Sequence, residues 1–154
     1  MRRFQEMFLE AKAEAIEWQG HSVRSIYRRD LTPGCEVEVA LEAGRTDPAQ
    51  GVVLKAGDGS LEWNELGAEG QSIRIWADKT RSARVRYVNP RKASELRVWN
   101  VWLEGPEPDA IVQAWWAWSG MLIEESADEV VLRCSGSYDG PSFDDLVVRL
   151  RFTG

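Results

Sequence analysis

A chain of 154 residues, 44% of them apolar and with a net charge of −6, is long enough to bury a core and too apolar to remain disordered. No apolar run approaches the ~20 residues of a membrane helix, which argues against a membrane role. A pI near 4.9 argues against nucleic-acid binding, whose usual footprint is basic.

The first segment reads as a helix over residues 3–18. Phe4, Met7, Phe8, Ala11, Ala15 and Trp18 recur at three- and four-residue spacing, and Gly20 supplies a stop. Glu6, Glu10, Lys12 and Glu14 interrupt any apolar run behind Arg2 and Arg3. No secretory leader is therefore read, and the cytoplasm is the expected compartment. The organisation predicted is a single domain, with residues 1–20 as an N-terminal helix and 21–154 as a β-rich body.

After Gly20 the period changes to two. Cys35, Val37, Val39 and Leu41 alternate with Glu36, Glu38, Ala40 and Glu42. Leu146, Val148, Leu150 and Phe152 alternate with Val147, Arg149 and Arg151. Further strand candidates are 22–29, 51–56, 60–66, 72–77, 83–89, 95–104, 111–123 and 129–135. Gly and Pro punctuation separates them, and Gly57-Asp58-Gly59-Ser60 reads as a tight hairpin. About nine or ten short strands predict a mainly β fold, an antiparallel sandwich or barrel with the N-terminal helix packed on it.

Eight tryptophans are the most informative feature, and Trp99, Trp102, Trp115, Trp116 and Trp118 fall close together. Segments 96–103 and 111–118 are apolar on both faces, the pattern of central strands covered on both sides. Trp99 and Trp115 are therefore expected in the core. Trp102 and Trp118 are the expected exposed members, available to a ligand or partner.

Charge is segregated. Residues 71–100 carry 8 bases and 2 acids, and residues 101–145 carry 1 base and 10 acids. Such blocks are either neighbouring strands that neutralise each other or a polarised surface. Lys79, Arg81, Arg84, Arg86, Arg91, Lys92 and Arg97, flanked by Trp76 and Trp99, suggest a single-strand groove. The acidity of the remainder weighs against nucleic acid as the partner.

Catalytic signatures are weak. His21 is the sole histidine and sits at a predicted junction, where a surface or capping role fits better than general-base chemistry. No nucleophile elbow or P-loop is present. Glu124-Glu125, Asp128-Glu129 and Asp144-Asp145 are carboxylate pairs, but neighbours on a strand point to opposite faces and make no dyad. The glycines of 51–70 are scattered among strands and turns and do not open a helix. The run 137–145 reads as a polar loop rather than a calcium site. Cys35 and Cys134 read as reduced, buried thiols. No cofactor and no metal are expected.

Three readings follow. The first is a non-enzymatic, inhibitor-like or immunity-like module that neutralises a basic protein partner. Its acidic surface would use Glu104, Glu107, Asp109, Glu124, Glu125, Asp139, Asp144 and Asp145, with Trp102 or Trp118 as anchor. The second is a barrel or sandwich that binds a small molecule in a Trp-lined pocket. The third is a carboxylate-based hydrolase.

Overall fold

The computed structural model describes residues 2–106 and 108–154. The architecture is mainly β: an antiparallel sandwich of two sheets with one helix packed on it. In chain order the elements are α1 (Phe4–Ala11), β1 (Ala15–Trp18), β2 (His21–Arg24), β3 (Tyr27–Leu31), β4 (Glu36–Gly44), β5 (Gln50–Ala56), β6 (Ser60–Trp63) and β7 (Ala68–Gly70). They continue with β8 (Ser72–Trp76), β9 (Ser82–Val88), β10 (Ser94–Glu104), β11 (Ile111–Gln113), β12 (Gly120–Glu125), β13 (Glu129–Ser135) and β14 (Leu146–Thr153). The larger sheet runs β1-β2-β12-β13-β14-β4-β9-β6-β7, and the smaller runs β11-β10-β5-β8 with β3 also paired to β10.

The alternating patterns became strands for the reason they were read as such: their apolar faces meet between the sheets. Val37, Val39 and Leu41 of β4 and Leu146, Val148 and Leu150 of β14 pack in one cluster with Val52 and Leu54 of β5 and Leu96 and Val98 of β10. Burying each such side chain contributes roughly 1.5–3 kcal/mol against the entropy of ordering the chain.

The helix is shorter than its periodicity predicts. Lys12 takes a left-handed conformation (φ 50°) and ends α1 at Ala11. Ile16 and Trp18 satisfy a two-residue period as well as a helical one, and pairing with β2 wins because it buries Ile16. Gln19 and Gly20, both at positive φ, form the two-residue turn between Trp18 and His21. Gly20 thus turns a hairpin instead of stopping a helix. Helix α1 lies over the β1-β2-β12 end of the larger sheet, where Phe4 packs with Ile16, Val23, Ala117 and Trp118.

The described residues form fourteen strands because two of the ten predicted strands divide and β1 and β7 form outside the predicted strands. Segment 22–29 breaks at Ser25-Ile26, so that β2 joins one sheet and β3 the other. Segment 111–123 keeps only Ile111–Gln113 and Gly120–Glu125 as strand, since Trp115 (φ 56°) and Ala117 (φ 47°) are left-handed. The turn at Gly57-Asp58-Gly59 is not a hairpin: β5 and β6 lie in different sheets, and the turn carries the chain from one to the other. Buried Asp58 holds this crossing by accepting the Arg91 and Lys92 backbone N–H groups at 2.6 and 3.1 Å.

Strand β10 organises the smaller sheet. One edge pairs throughout with β5 over Leu96 to Trp102. The other edge is divided: β3 takes Ser94 to Val98, and β11 takes Trp102 to Glu104. Between them, residues 99–101 have no strand partner on that edge. Trp115 fills the gap, its ring 5.1 Å from that of Trp99 and its Nε1 donating to the Ser25 carbonyl at 2.9 Å. Among the described residues, no helix is long and apolar enough to cross a membrane.

Candidate functional site

The expected division of the tryptophans is inverted. Trp102 (1% exposed) and Trp118 (8%) are buried, while Trp115 and Trp116 are each 43% exposed and Trp99 is half-buried. Trp102 lies on the even face of β10 with Leu96, Val98 and Asn100, which turns into the sandwich. Trp118 packs against Phe4 edge-on at 5.1 Å, beneath α1. Two-sided apolar character did not reveal which side was the core.

The outer face of the smaller sheet carries the remaining aromatic surface. Strand register sets Trp99, Val53 and Arg74 in one row and Val101, Gly51 and Trp76 in the next. Gly51 is required there. A Cβ on it would stand 2.7 Å from Trp76 Cε3 and 3.1 Å from Cδ2, so the indole lies over a strand bare of side chain. The Arg74 guanidinium sits 5.9 Å over the Trp76 ring, at the limit of a cation–π contact.

At this end of the sheet a cleft of about 860 Å3 opens. One wall is the 46–49 loop, held by a hydrogen bond from Leu103 N to Ala49 O at 3.0 Å. Trp76, Arg74, Asp78 and Lys79 form a second wall, and Leu103, Glu104, Val112 and Tyr138 a third. Glu104 Oε2 accepts from Gln113 Nε2 at 2.7 Å and from the Tyr138 hydroxyl at 2.9 Å. Burial, together with the Glu104 carboxylate, raises the Tyr138 phenol, which keeps it a protonated donor at neutral pH. Trp102 reaches the cleft at its floor, with Tyr138 edge-on at 5.9 Å.

A buried polar belt fixes that floor. Gln50 Nε2 donates to Gly136 O at 2.8 Å, Asn100 Nδ2 to Ser135 O at 2.9 Å, and Gly136 N to Asp145 Oδ2 at 3.0 Å. A side chain at Gly136 would meet Gln50 Oε1 at 2.7 Å and Trp102 Cε3 at 3.1 Å. Asp145 is thus a buried structural carboxylate, paired also with Arg45 at 3.5 Å, and not a surface charge.

The other acidic candidates do not form one face. Glu124 pairs with Arg133 at 3.3 Å, with Asp144 at 4.0 Å from the same arginine. Glu125 pairs with Arg29 and Asp139 with Arg45. Glu104 faces the cleft, Asp109 is exposed, and Glu107 lies outside the described residues. The cationic run is also dispersed. Arg84 and Arg86 stand on β9 opposite Glu38 and Glu36 of β4, whereas Trp76 and Trp99 belong to the other sheet. Neighbouring strands therefore neutralise part of the basic segment. His21 is exposed at the start of β2. Cys35 and Cys134 are free and buried, and burial raises both thiols.

A second concavity, about 530 Å3 and largely apolar, runs between α1 and the Ser25-Ile26 link. Phe8, Leu9, Ile26 and Trp115 line it.

The aromatic cleft is the part that sequence reasoning missed. Its usable signal was Gly51, an interior strand glycine of the kind that marks a close approach, here by Trp76. Comparison with protein-family models, with curated proteins and with solved structures found no match to this chain.

Proposed function

We propose that this protein is a non-enzymatic, ligand-binding β-sandwich whose occupant is a small polar molecule held in the cleft at the end of the five-stranded sheet. The observation that carries this reading is the Trp76 indole, laid over Gly51 beside a cleft lined by carboxylates, cations and a phenol. The cleft volume falls in the ~300–1,000 Å3 range of small-molecule sites, and a few converging polar groups on an apolar wall are their usual lining. Binding is preferred to hydrolysis because Glu104, the carboxylate between Tyr138 and Gln113, is already engaged by both as a hydrogen-bond acceptor. The free, buried thiols fit a reducing compartment such as the cytoplasm.

The test is a screen of water-soluble fragments by protein-observed NMR. Hits that move the amides of Trp76, Glu104 and Tyr138, and that vanish in Trp76→Ala, support the reading. Perturbations confined to the groove beside α1 overturn it.

One observation favours a second reading, a protein-binding module. Leu9 is 69% exposed beside Trp115 in the apolar groove, and contiguous exposed apolar surface often marks an interface. The net charge of −6 suits a basic partner, and the anchor would be Trp115 rather than Trp102 or Trp118. Capture of a basic protein by the wild type and not by Leu9→Lys is the corresponding test.

A further inference from the structure

The cleft does not end at its walls. Trp76 and Arg74 line it and also belong to the rows that cross the outer sheet face towards Trp99. The Trp76 indole covers Gly51 on β5, and between it and Trp99 the outer face presents the partly exposed Val53, a low step between aromatic residues. Two strands across and two residues along place these tryptophans roughly 12 Å apart at Cα, from ordinary sheet spacings. Trp99 carries Trp115 against it, so the far side of this surface ends in an aromatic pair whose planes are tilted by 33°.

We propose that the cleft and this surface bind a neutral oligosaccharide, with one pyranose ring stacked on Trp76 and further rings running towards the Trp99–Trp115 pair. The inference rests on the cleft being a ligand site. Three features select this class. The flat face of a pyranose ring carries C–H hydrogens that complement the negative face of an indole. The polar lining mixes the acceptors Asp47, Asp78, Glu104 and the Tyr138 oxygen with the donors Arg74 and Lys79, and a hydroxyl group serves both kinds at once. Charge then discriminates: the three carboxylates disfavour a phosphate chain, and the two cations disfavour a polyamine. The two tryptophans stand on strands that flank β5, so an occupant that reaches both Trp76 and the Trp99–Trp115 pair is a chain of rings and not a monosaccharide.

The experiment titrates the full chain with cellohexaose, laminarihexaose, maltohexaose, xylohexaose and chitohexaose. Binding is followed by calorimetry and by amide shifts. The expected result is binding of at least one hexasaccharide, shifting Trp76, Val53 and Trp99 together. Its affinity should change little with salt, and the parent monosaccharide should bind at least about tenfold more weakly, the equivalent of ~1.4 kcal/mol. Trp76→Ala should weaken the hexasaccharide by about tenfold or more, with an unchanged amide spectrum elsewhere showing that the fold is intact. Absence of binding by all five overturns the inference. So does binding that survives Trp76→Ala. An oligothymidylate that shifts the same amides with a steep salt dependence replaces it with single-strand recognition. Fragment hits in the cleft without any hexasaccharide binding would leave the ligand-site reading standing and remove the saccharide alone.

Discussion

The two outer faces of the sandwich are built on opposite principles. On the nine-stranded sheet, charge is answered by charge across the strands. Glu36 stands opposite Arg86 and Glu38 opposite Arg84, and Arg149 meets both Glu42 and Glu129. Where that ladder stops, α1 covers the surface. On the five-stranded sheet, the Trp76 indole covers Gly51 and Trp115 covers part of Trp99, and the partly exposed Val53 and Trp99 lie in the adjoining row. The difference teaches where to look for function. A face whose groups satisfy one another needs nothing further, whereas half-exposed indoles over a glycine floor are costly to leave in water unless something stacks on them.

The largest expected effect tests whether the two sides of the small sheet differ as described. Trp102, on the inner side, is fully enclosed, and Trp102→Ala should cost roughly 3–5 kcal/mol in urea denaturation. Trp76→Ala, on the outer side, should cost less than about 1.5 kcal/mol, because its ring is only partly buried. Equal losses would erase the distinction between core and binding tryptophans.

A smaller effect tests the covered end of the large sheet. A Cβ on Gly120 would stand 2.5 Å from Val23 Cγ1 and 3.3 Å from Phe4. Gly120→Ala should therefore cost about 1–3 kcal/mol by overpacking α1 against β2, measured by thermal unfolding. A neutral result would mean that the helix rides loosely on the sheet.

Smaller still is the strain at Trp115. Its left-handed backbone is unfavourable for any residue with a Cβ, so Trp115→Gly should be more stable than Trp115→Ala by about 1 kcal/mol. The reverse order would show that the segment relaxes once the indole is gone.

The least effect comes from acid, and it should fall on the charged face. Hydrogen bonds from Arg149 and Arg151 hold the Glu129 carboxyl below the ordinary carboxylate range. A depressed carboxyl contributes stability above its unfolded pKa of about 4, and that contribution is lost as pH falls through the lower folded value. Carboxyl NMR should find Glu129 titrating below the ordinary glutamate value. The half-exposed character of these ion pairs keeps the change in unfolding midpoint small.

Much of this architecture was legible because burial on one face writes itself as alternation. Residues 35–42 and 146–152 were read as strands and became Glu36–Gly44 and Leu146–Thr153. What alternation cannot write is direction when both faces are apolar, and so Trp99 and Trp102 exchanged places. Nor does it mark a left-handed residue. Lys12 ended the helix early, and Trp115 and Ala117 turned a predicted strand into a folded loop that put Trp118 under the helix and Trp115 outside. The acidic block of 101–145 misled for another reason. Its partners, Arg29, Arg45 and Arg133, are distant in sequence in all but the last case, and pairing across sheets is invisible to composition. Of the candidate site, Glu104 was named for its charge. Trp76 appeared only as a flank to the cations, and Gly51 was read only as the first residue of a strand, with no role given to its missing side chain.

The divided edge of β10 carries one more consequence. A strand edge without a neighbour offers unpaired backbone groups to any other extended chain and invites self-association. Most proteins blunt such edges with charge or proline. Here the vacancy at residues 99–101 is stoppered by an indole, fastened through its nitrogen to Ser25 and strained into place. Trp115 thus guards solubility as well as shaping a surface. A variant lacking its ring should remain folded yet gain a concentration-dependent tendency to dimerise, as if the sheet were completing itself with a borrowed strand.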